Sequence, residues 1–225
     1  MEGLIVHTAS KLAEKRFGKE QKNSWSSFRE LKTWVFWRAV IAEALGTTLF
    51  VYMGVSSTIS LAFGLSIMVL IQIFGPISGA HINPAVSLGL AVGGAITLVR
   101  AIMYVIAQTI GAILGGLIVK GLTPSNITQY GVTGLNSSLS VEQGLGVEII
   151  LTFVLVSVII ATTDGNRHEY GSKSLAIGLT VATGHFSGIL ISILYNVICI
   201  YLLLFQMQQS TIIFELEKSQ IKILR

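Results

Sequence analysis

Residues Gly75-Pro76-Ile77-Ser78-Gly79-Ala80-His81-Ile82-Asn83-Pro84-Ala85-Val86-Ser87-Leu88 decide the fold of this chain. The stretch is too short to cross a bilayer twice before Arg100, and it is too apolar for a solvated loop. It predicts a re-entrant loop and then a half-helix, because Asn83 can cap a helix and Pro84 suits the first helical position. The predicted half-helix continues over residues 86–95.

The polar groups of this stretch indicate a transport path. A half-helix that starts at membrane depth presents its positive end to the membrane centre. Asn83 can donate from its side-chain NH₂, and an extended Gly79, Ala80 and His81 can offer carbonyl acceptors. Such a path fits a small neutral molecule that donates and accepts hydrogen bonds, while the positive helix end opposes cations and protons.

Composition supports a membrane setting for the whole chain. Of 225 residues, 52% are hydrophobic and 12% are charged, against about 25% charged in soluble domains. A soluble or a disordered chain is therefore excluded. Because Cys199 is the only cysteine, no intrachain disulfide and no cysteine-based metal site can form, and no metal or cofactor is predicted. The predicted spans are 34–53, 55–74, 98–119, 145–162 and 175–193.

Charge placement predicts the topology and the location. Eight of the fifteen Lys and Arg residues lie in the first 38 residues, so the arm 1–33 is predicted to be cytoplasmic. This arm is either a solvated tail or a contact to anionic headgroups, and nucleic acid is not a predicted partner. Segment 120–143 would be external and holds two candidate N-glycosylation sites, Asn126 and Asn136. We expect a multi-pass protein of the plasma membrane.

The chain contains an internal repeat. Residues 42–51 are similar to residues 147–156, and 61–66 to 175–180. Three spans separate the starts of the copies, so the second copy has the opposite orientation, as in many channels and transporters. Glu43 and Glu148 occupy equivalent positions inside apolar spans, where a carboxylate can accept backbone N–H groups of a broken helix. The alternative is a pair of interfacial glutamates.

Residues 78–86 resemble the first signature of the aquaporins, the major intrinsic protein family, and the glutamates and the Leu-Ala-x-Gly-Leu repeats match as well. The resemblance covers residues 34–189. It implies an all-α membrane fold with an inverted repeat, a tetramer, and a pore centred on Asn83-Pro84-Ala85. It also implies that Phe63 and His185 occupy two positions of the aromatic/arginine constriction, in the combination of a water-selective member.

The second repeat departs from the family pattern. A second Asn-Pro-Ala is expected near residue 197, but no Pro or Ala follows Asn196. No Arg occurs between Arg167 and Arg225, and no Gly or Pro follows Gly188. We therefore expect an incomplete second repeat, with residues 190–225 forming a divergent apolar segment and a polar tail. Loss of a half-helix and of the constriction arginine should weaken proton and cation exclusion.

The main functional prediction is an aquaporin-type channel for passive water transport, impaired by the missing second motif and sixth span. The alternative is a non-conducting truncated isoform that acts as a membrane partner of full-length subunits, in a mixed tetramer rather than a homotetramer. A secondary transporter also fits inverted repeats and buried glutamates, but no further coupling-ion site is visible. An enzyme is least favoured, because the four histidines fall on separate elements.

Overall fold

The computed structural model describes residues 28–56, 60–124, 140–165 and 171–191. Within these ranges all regular secondary structure is helical, which confirms the predicted fold class. Three groups of predictions lie outside the described residues. They are the basic arm up to residue 27, the candidate glycosylation sites Asn126 and Asn136, and the divergent residues 192–225.

In the described ranges a short 3-10 turn at Glu30–Lys32 precedes six α-helices. In chain order the α-helices are α1 (Trp34–Val55), α2 (Ser60–Ser78), α3 (Pro84–Val92), α4 (Leu98–Leu122), α5 (Val141–Thr163) and α6 (Lys173–Ile191). Thr33 caps α1, because its hydroxyl accepts the Phe36 amide at 3.2 Å. Ser140 and Gln143 form a capping box at the start of α5.

Four of the described helices, α1, α2, α4 and α5, are long and apolar enough to cross a membrane. The predicted spans agree with these helices and with α6 in number and order, but their bounds shift. The largest shift is in the second span, predicted at 55–74 and observed at Ser60–Ser78. The predicted span began too early, because it included the polar stretch Ser56-Ser57-Thr58 that precedes the helix.

The re-entrant stretch begins later than the sequence predicts. Helix α2 continues through Pro76 to Ser78, so the non-helical loop is only residues 79–83. Pro76 lacks an N–H and so removes one i→i−4 hydrogen bond, but the helix continues for two residues beyond it. The chain leaves the helix at Gly79, where φ is +91° and a residue without a Cβ is favoured.

The backbone of the loop is not extended, contrary to the prediction. Ala80 and Ile82 have φ values of 49° and 51°, in the left-handed region that non-glycine residues rarely adopt. The half-helix α3 starts at Pro84 as predicted, but it ends at Val92 rather than at residue 95. Gly93 and Gly94 follow it directly, and Gly94 has a positive φ of 76°.

Glycines set two close helix crossings. A Cβ on Gly111 of α4 would lie 2.2 Å from the Ala44 carbonyl oxygen of α1, and one on Gly115 would lie 2.6 Å from that of Thr48. Gly111 and Gly115 are four residues apart on one face of α4, and the helix that they contact is α1. Such small-residue spacing is typical of helix pairs in membranes.

The crossing of α2 and α6 carries the signature of the inverted repeat. Gly64 and Gly178 are equivalent residues of the two copies, and they meet each other here. A Cβ on Gly64 would lie 2.4 Å from the Gly178 carbonyl oxygen, and a Cβ on Gly178 would lie 2.7 Å from that of Gly64. Reciprocal contact between equivalent residues is what a pseudo-twofold axis through the crossing requires.

Candidate functional site

Glu43 is the anchor of the re-entrant loop. It lies in the middle of α1 and is fully buried. Its Oε1 accepts the Ser78 hydroxyl at 2.6 Å and the His81 amide at 3.0 Å, and its Oε2 accepts the Ile82 amide at 2.7 Å. A buried backbone N–H must find a partner, and this carboxylate supplies one for two successive amides of the loop.

Gln108 of α4 completes the carboxylate's contacts. Its Nε2 donates to Glu43 Oε2 at 2.8 Å and to Ser87 Oγ at 3.1 Å. The Oε1 of Gln108 is buried without a hydrogen-bond partner among the described residues. The amide orientation is therefore set by its two acceptors, since turning it over would bring its carbonyl oxygen against the carboxylate.

Ser87 links the loop to the half-helix. Its hydroxyl donates to the Asn83 carbonyl at 3.1 Å and lies 3.1 Å from His81 Nδ1. Because the single hydroxyl hydrogen is directed to a carbonyl, His81 Nδ1 acts as the donor in the second contact. With Nδ1 as the donor, the His81 ring carries a proton on that nitrogen.

Asn83 caps α3 with one end of its amide. Its Oδ1 accepts the Ala85 amide at 2.8 Å and the Val86 amide at 3.4 Å, and the side chain is almost fully buried. With Oδ1 engaged in the cap, Nδ2 is directed away from the helix. Pro84 has no N–H to satisfy, so the first turn needs no further acceptor there. The predicted capping roles of Asn83 and Pro84 are confirmed.

The carbonyls of the loop point away from Glu43. The amides of Ala80, His81 and Ile82 are bonded to Ser78 Oγ or to the carboxylate. In a trans peptide the C=O points opposite to the N–H of the next residue. The carbonyls of Gly79, Ala80 and His81 are therefore directed to the other side of the loop.

A cavity of about 460 Å³ lies on that side. Gly79, Ala80, His81 and Asn83 line it together with Ser78, Thr163 and Lys173, and most of the remaining wall is apolar. Phe50 of α1 and Ile177 of α6 are part of this apolar wall. The loop thus presents one side-chain donor and a short row of carbonyl acceptors to a largely apolar cavity, whose other polar lining residues are Ser78, Thr163 and Lys173.

The two residues predicted for the constriction are in contact with each other. The rings of Phe63 and His185 stack with centroids 4.2 Å apart and an interplanar angle of 15°. Phe63 also meets Phe50 edge-on at 5.8 Å, so the stack lies beside the cavity beyond Phe50. His185 Nδ1 donates to the Val181 carbonyl at 2.9 Å, which orients the imidazole.

The two equivalent glutamates, Glu43 and Glu148, differ in whether the structure describes the loop that each would hold. Glu43 holds the first loop, whereas Glu148 lies in α5 at the equivalent position of the second copy. By the repeat relation, the loop that would correspond to residues 79–83 falls after residue 191, outside the described residues. The supporting role predicted for Glu148 stays a prediction.

Three residues of the site were not predicted from the sequence: Gln108, Ser87 and Tyr104. Gln108 and Tyr104 are fully buried on α4, one turn apart, and both face the loop. A signal for Gln108 was available, because a polar side chain inside an apolar span is costly and needs a partner. Ser87 gave no signal, since a serine one turn after a cap is common in any helix.

These observations define a class of protein. The protein is an all-helical membrane protein with an inverted repeat. The N-terminus of its half-helix lies at a cavity between the two copies. This is the architecture of membrane channels and transporters. The sequence comparisons narrow the class. The model of the major intrinsic protein family matches residues 30–193, so the chain belongs to this family, whose members are channels and not enzymes.

Individual relatives agree with this family. Aquaporin-1 of Rattus norvegicus is 45% identical over 181 residues, covering 71% of this chain and 67% of the relative. Aquaporin-1 of Homo sapiens is 46% identical over 182 residues with the same coverage. Among solved structures, the aquaglyceroporin from Plasmodium falciparum is similar with a TM-score of 0.62 and 30% identity. That match covers 68% of this chain and 73% of the other.

Proposed function

We propose that this chain forms an aquaporin-type path for the passive movement of water across a membrane. The observation that carries the proposal is the polar row of the loop. Asn83 offers a fixed donor, and Gly79, Ala80 and His81 offer carbonyl acceptors, at one side of a largely apolar cavity. A water molecule can exchange its hydrogen bonds with such a row without losing them, whereas an ion would lose most of its hydration shell.

Selectivity for water over larger solutes is proposed from Phe63 and His185. Two bulky rings leave little room at a constriction, and because they stack with centroids 4.2 Å apart, water would pass beside the stack and not between the rings. The relatives that are 45% identical are named aquaporins, and the 30% identical structure is named an aquaglyceroporin. Because the identity to the named aquaporins is higher than the identity to the aquaglyceroporin, the comparison favours water as the permeant.

The proposal includes an arrangement in the cell. We expect the plasma membrane, a cytoplasmic N-terminus and a homotetramer or a mixed tetramer with full-length subunits, each with its own water path. Residues 34–189 would form the channel domain, with 1–33 as a basic arm and 190–225 as a divergent segment. Asn126 and Asn136 would lie outside the cell.

A second candidate function rests on one sequence observation. The chain contains a single Asn-Pro-Ala, because Pro76, Pro84 and Pro124 are its only prolines. In a family whose water path is built from two opposed half-helices, this chain would then supply only the half-helix that starts after Asn83. The second candidate is a non-conducting subunit that assembles with full-length channels and lowers their number of open paths.

Osmotic shrinkage of proteoliposomes separates the two candidates. The full chain is reconstituted alone, and the rate of water efflux is followed by stopped-flow light scattering. A water channel raises the rate above that of empty liposomes and lowers its activation energy. A rate equal to that of empty liposomes overturns the channel proposal and favours the non-conducting subunit.

Substitution at Asn83 tests whether the loop is the path. Asn83→Asp keeps the oxygen that caps α3 and removes the NH₂ donor, so we expect water permeability to fall by about tenfold or more. Asn126→Asp makes the same chemical change in the segment between α4 and α5 and should leave the rate unchanged. Equal rates for Asn83→Asp and the unmodified chain would place the water path elsewhere.

A further inference from the structure

The carbonyl at which α2 ends has a partner in another helix. Because the chain turns away at Gly79, the next amides bond to Ser78 Oγ and Glu43 instead of the last carbonyls of the helix. The Ser78 carbonyl accepts the hydroxyl of Tyr104 at 2.9 Å. Tyr104 lies in α4 and is fully buried. It therefore caps α2 from behind the loop.

Tyr104 contacts the loop at a second point. Its ring meets the His81 ring edge-on, with centroids 5.1 Å apart and an interplanar angle of 81°. Ser78 is meanwhile bonded through its hydroxyl to Glu43 of α1. The start of the loop is thus held from two helices, by α1 through the Ser78 hydroxyl and by α4 through the Ser78 carbonyl.

Arg100 fixes the direction of the Tyr104 hydroxyl. Its Nη1 lies 3.3 Å from the phenol oxygen. An arginine side chain can only donate, so the phenol oxygen accepts there and its own hydrogen is left to point at the Ser78 carbonyl. The guanidinium also lies 5.1 Å from the centroid of the Phe36 ring, which packs against it.

Glu30 fixes Arg100 in turn. Its Oε2 lies 2.6 Å from Arg100 Nη2 and 3.0 Å from Nε, and its other oxygen accepts the Thr97 hydroxyl. Two nitrogens of a planar guanidinium held by one carboxylate leave little rotational freedom. Glu30 belongs to the turn before α1, so this chain of contacts joins that turn to the loop.

We propose that Tyr104 and Arg100 are positioning residues for the loop at residues 79–83, with Glu30 holding Arg100 in place. The chain of contacts sets the direction of the Ser78 carbonyl, and with it the directions of the carbonyls that follow. Loosening the start of the loop would misalign the acceptor row with Asn83. The positioning role itself does not depend on the proposed function. Only the expected effect of these residues on water permeability rests on the proposed water path.

Hydrogen exchange tests the positioning role directly. Tyr104→Phe keeps the ring against His81 and removes the hydroxyl. In the full chain in lipid nanodiscs, followed by mass spectrometry, we expect the amides of residues 80–82 to exchange about five- to tenfold faster. Tyr52→Phe makes the same change at the far end of α1 and should leave these amides unaffected. Unchanged exchange in Tyr104→Phe overturns the proposal.

Arg100 provides a second test with a conservative control. Arg100→Met removes every donor and keeps an unbranched apolar stem, so loop exchange should rise as in Tyr104→Phe. Arg100→Lys keeps a donor for both Tyr104 and Glu30 and should restore most of the protection. Arg38→Met changes an exposed arginine at the same end of the molecule and should have no effect on the loop. Equal exchange in Arg100→Lys and Arg100→Met would contradict the donor role.

Water permeability of the same variants keeps the two proposals apart. Tyr104→Phe should lower the rate of proteoliposome shrinkage while the amount of inserted protein stays constant. If the unmodified chain conducts no water and Tyr104→Phe still speeds loop exchange, the proposed function fails and the positioning role stands. If the chain conducts and neither exchange nor permeability changes in Tyr104→Phe, the positioning role fails.

Discussion

At the scale of single residues, one carboxylate replaces the hydrogen bonds that a helix would otherwise make. Glu43 is fully buried and accepts four hydrogen bonds, from Ser78, His81, Ile82 and Gln108. Burial of a charge is costly, and it is tolerated only where donors surround it. The loop supplies those donors because it has left the helix, so the loop and the carboxylate stabilise each other.

Glu43→Gln should therefore destabilise the chain more than its small change in size suggests. An amide places an NH₂ group where the carboxylate accepted, so at least one loop donor loses its partner. We expect the free energy of unfolding to fall by about 3 kcal/mol. The measurement is denaturant unfolding in detergent micelles, followed by tryptophan fluorescence.

Glu142→Gln is the matched control for this change. Glu142 is exposed in the first turn of α5, and its replacement should leave the unfolding midpoint close to that of the unmodified chain. Equal midpoints for Glu43→Gln and Glu142→Gln would mean that the loop finds other acceptors, which would remove Glu43 from its anchoring role.

At the scale of elements, α1 and α4 can approach closely because glycines of α4 face the backbone of α1. Gly111 and Gly115 let the backbone of α4 touch that of α1, and the same two helices carry Glu43 and Gln108, which meet at 2.8 Å. The close approach and the polar contact depend on each other. Any widening of this crossing would lengthen the contact that holds the loop.

Gly111→Ala should widen the crossing. The added Cβ would lie 2.2 Å from a backbone oxygen of α1, which cannot move away as a flexible side chain can. We expect a loss of about 1–3 kcal/mol in unfolding free energy and faster exchange of the loop amides. Gly121→Ala, in the same helix with nothing within 4 Å of the added atom, should leave both unchanged. A stable Gly111→Ala with unchanged loop exchange would contradict the coupling.

The sequence predicts the half-helix but not its surroundings. Asn83 and Pro84 determine the start of α3 through local chemistry, so the sequence alone was sufficient. The acceptor role of Glu43 in α1 was also predicted, but the supporting residues Tyr104 and Gln108 lie on α4. Gln108 is 65 residues away from the carboxylate that it contacts, and no local pattern encodes such a pair. The end of α2 was placed too early because the helix passes Pro76 and ends only before Gly79, where φ is positive.

At the scale of the whole molecule, the two copies of the repeat meet at their equivalent glycines. The carbonyl oxygen of each glycine, Gly64 and Gly178, occupies the space that a Cβ on the other would need. A pseudo-twofold relation predicts that Gly64→Ala and Gly178→Ala have similar effects on unfolding free energy. Because both act on one crossing, the double variant should cost clearly less than the sum of the two. Unequal single effects with full additivity would show that the contact is not reciprocal.

The direction of the chain in the membrane decides which side the cavity faces. Glu30 contacts Arg100 at the start of α4, so the turn before α1 and the start of α4 lie on one side. Crossings by α4 and α5 then place Ser140 on the opposite side and Ser172 back on the first. The cavity is lined by Thr163 and Lys173, next to Ser172, so it opens on the side of the N-terminal turn.

Cysteine labelling in intact cells tests this arrangement. With Cys199→Ser as background, a membrane-impermeant maleimide should label Ser140→Cys from outside, and Lys32→Cys and Ser172→Cys only after permeabilisation. The expected sidedness follows from the prediction, made with the positive-inside rule, that the basic arm is cytoplasmic. Labelling of Ser140→Cys and Ser172→Cys from the same side would exclude a full crossing by α5. The inverse pattern would turn the cavity, and the row of carbonyls that lines it, towards the outside of the cell.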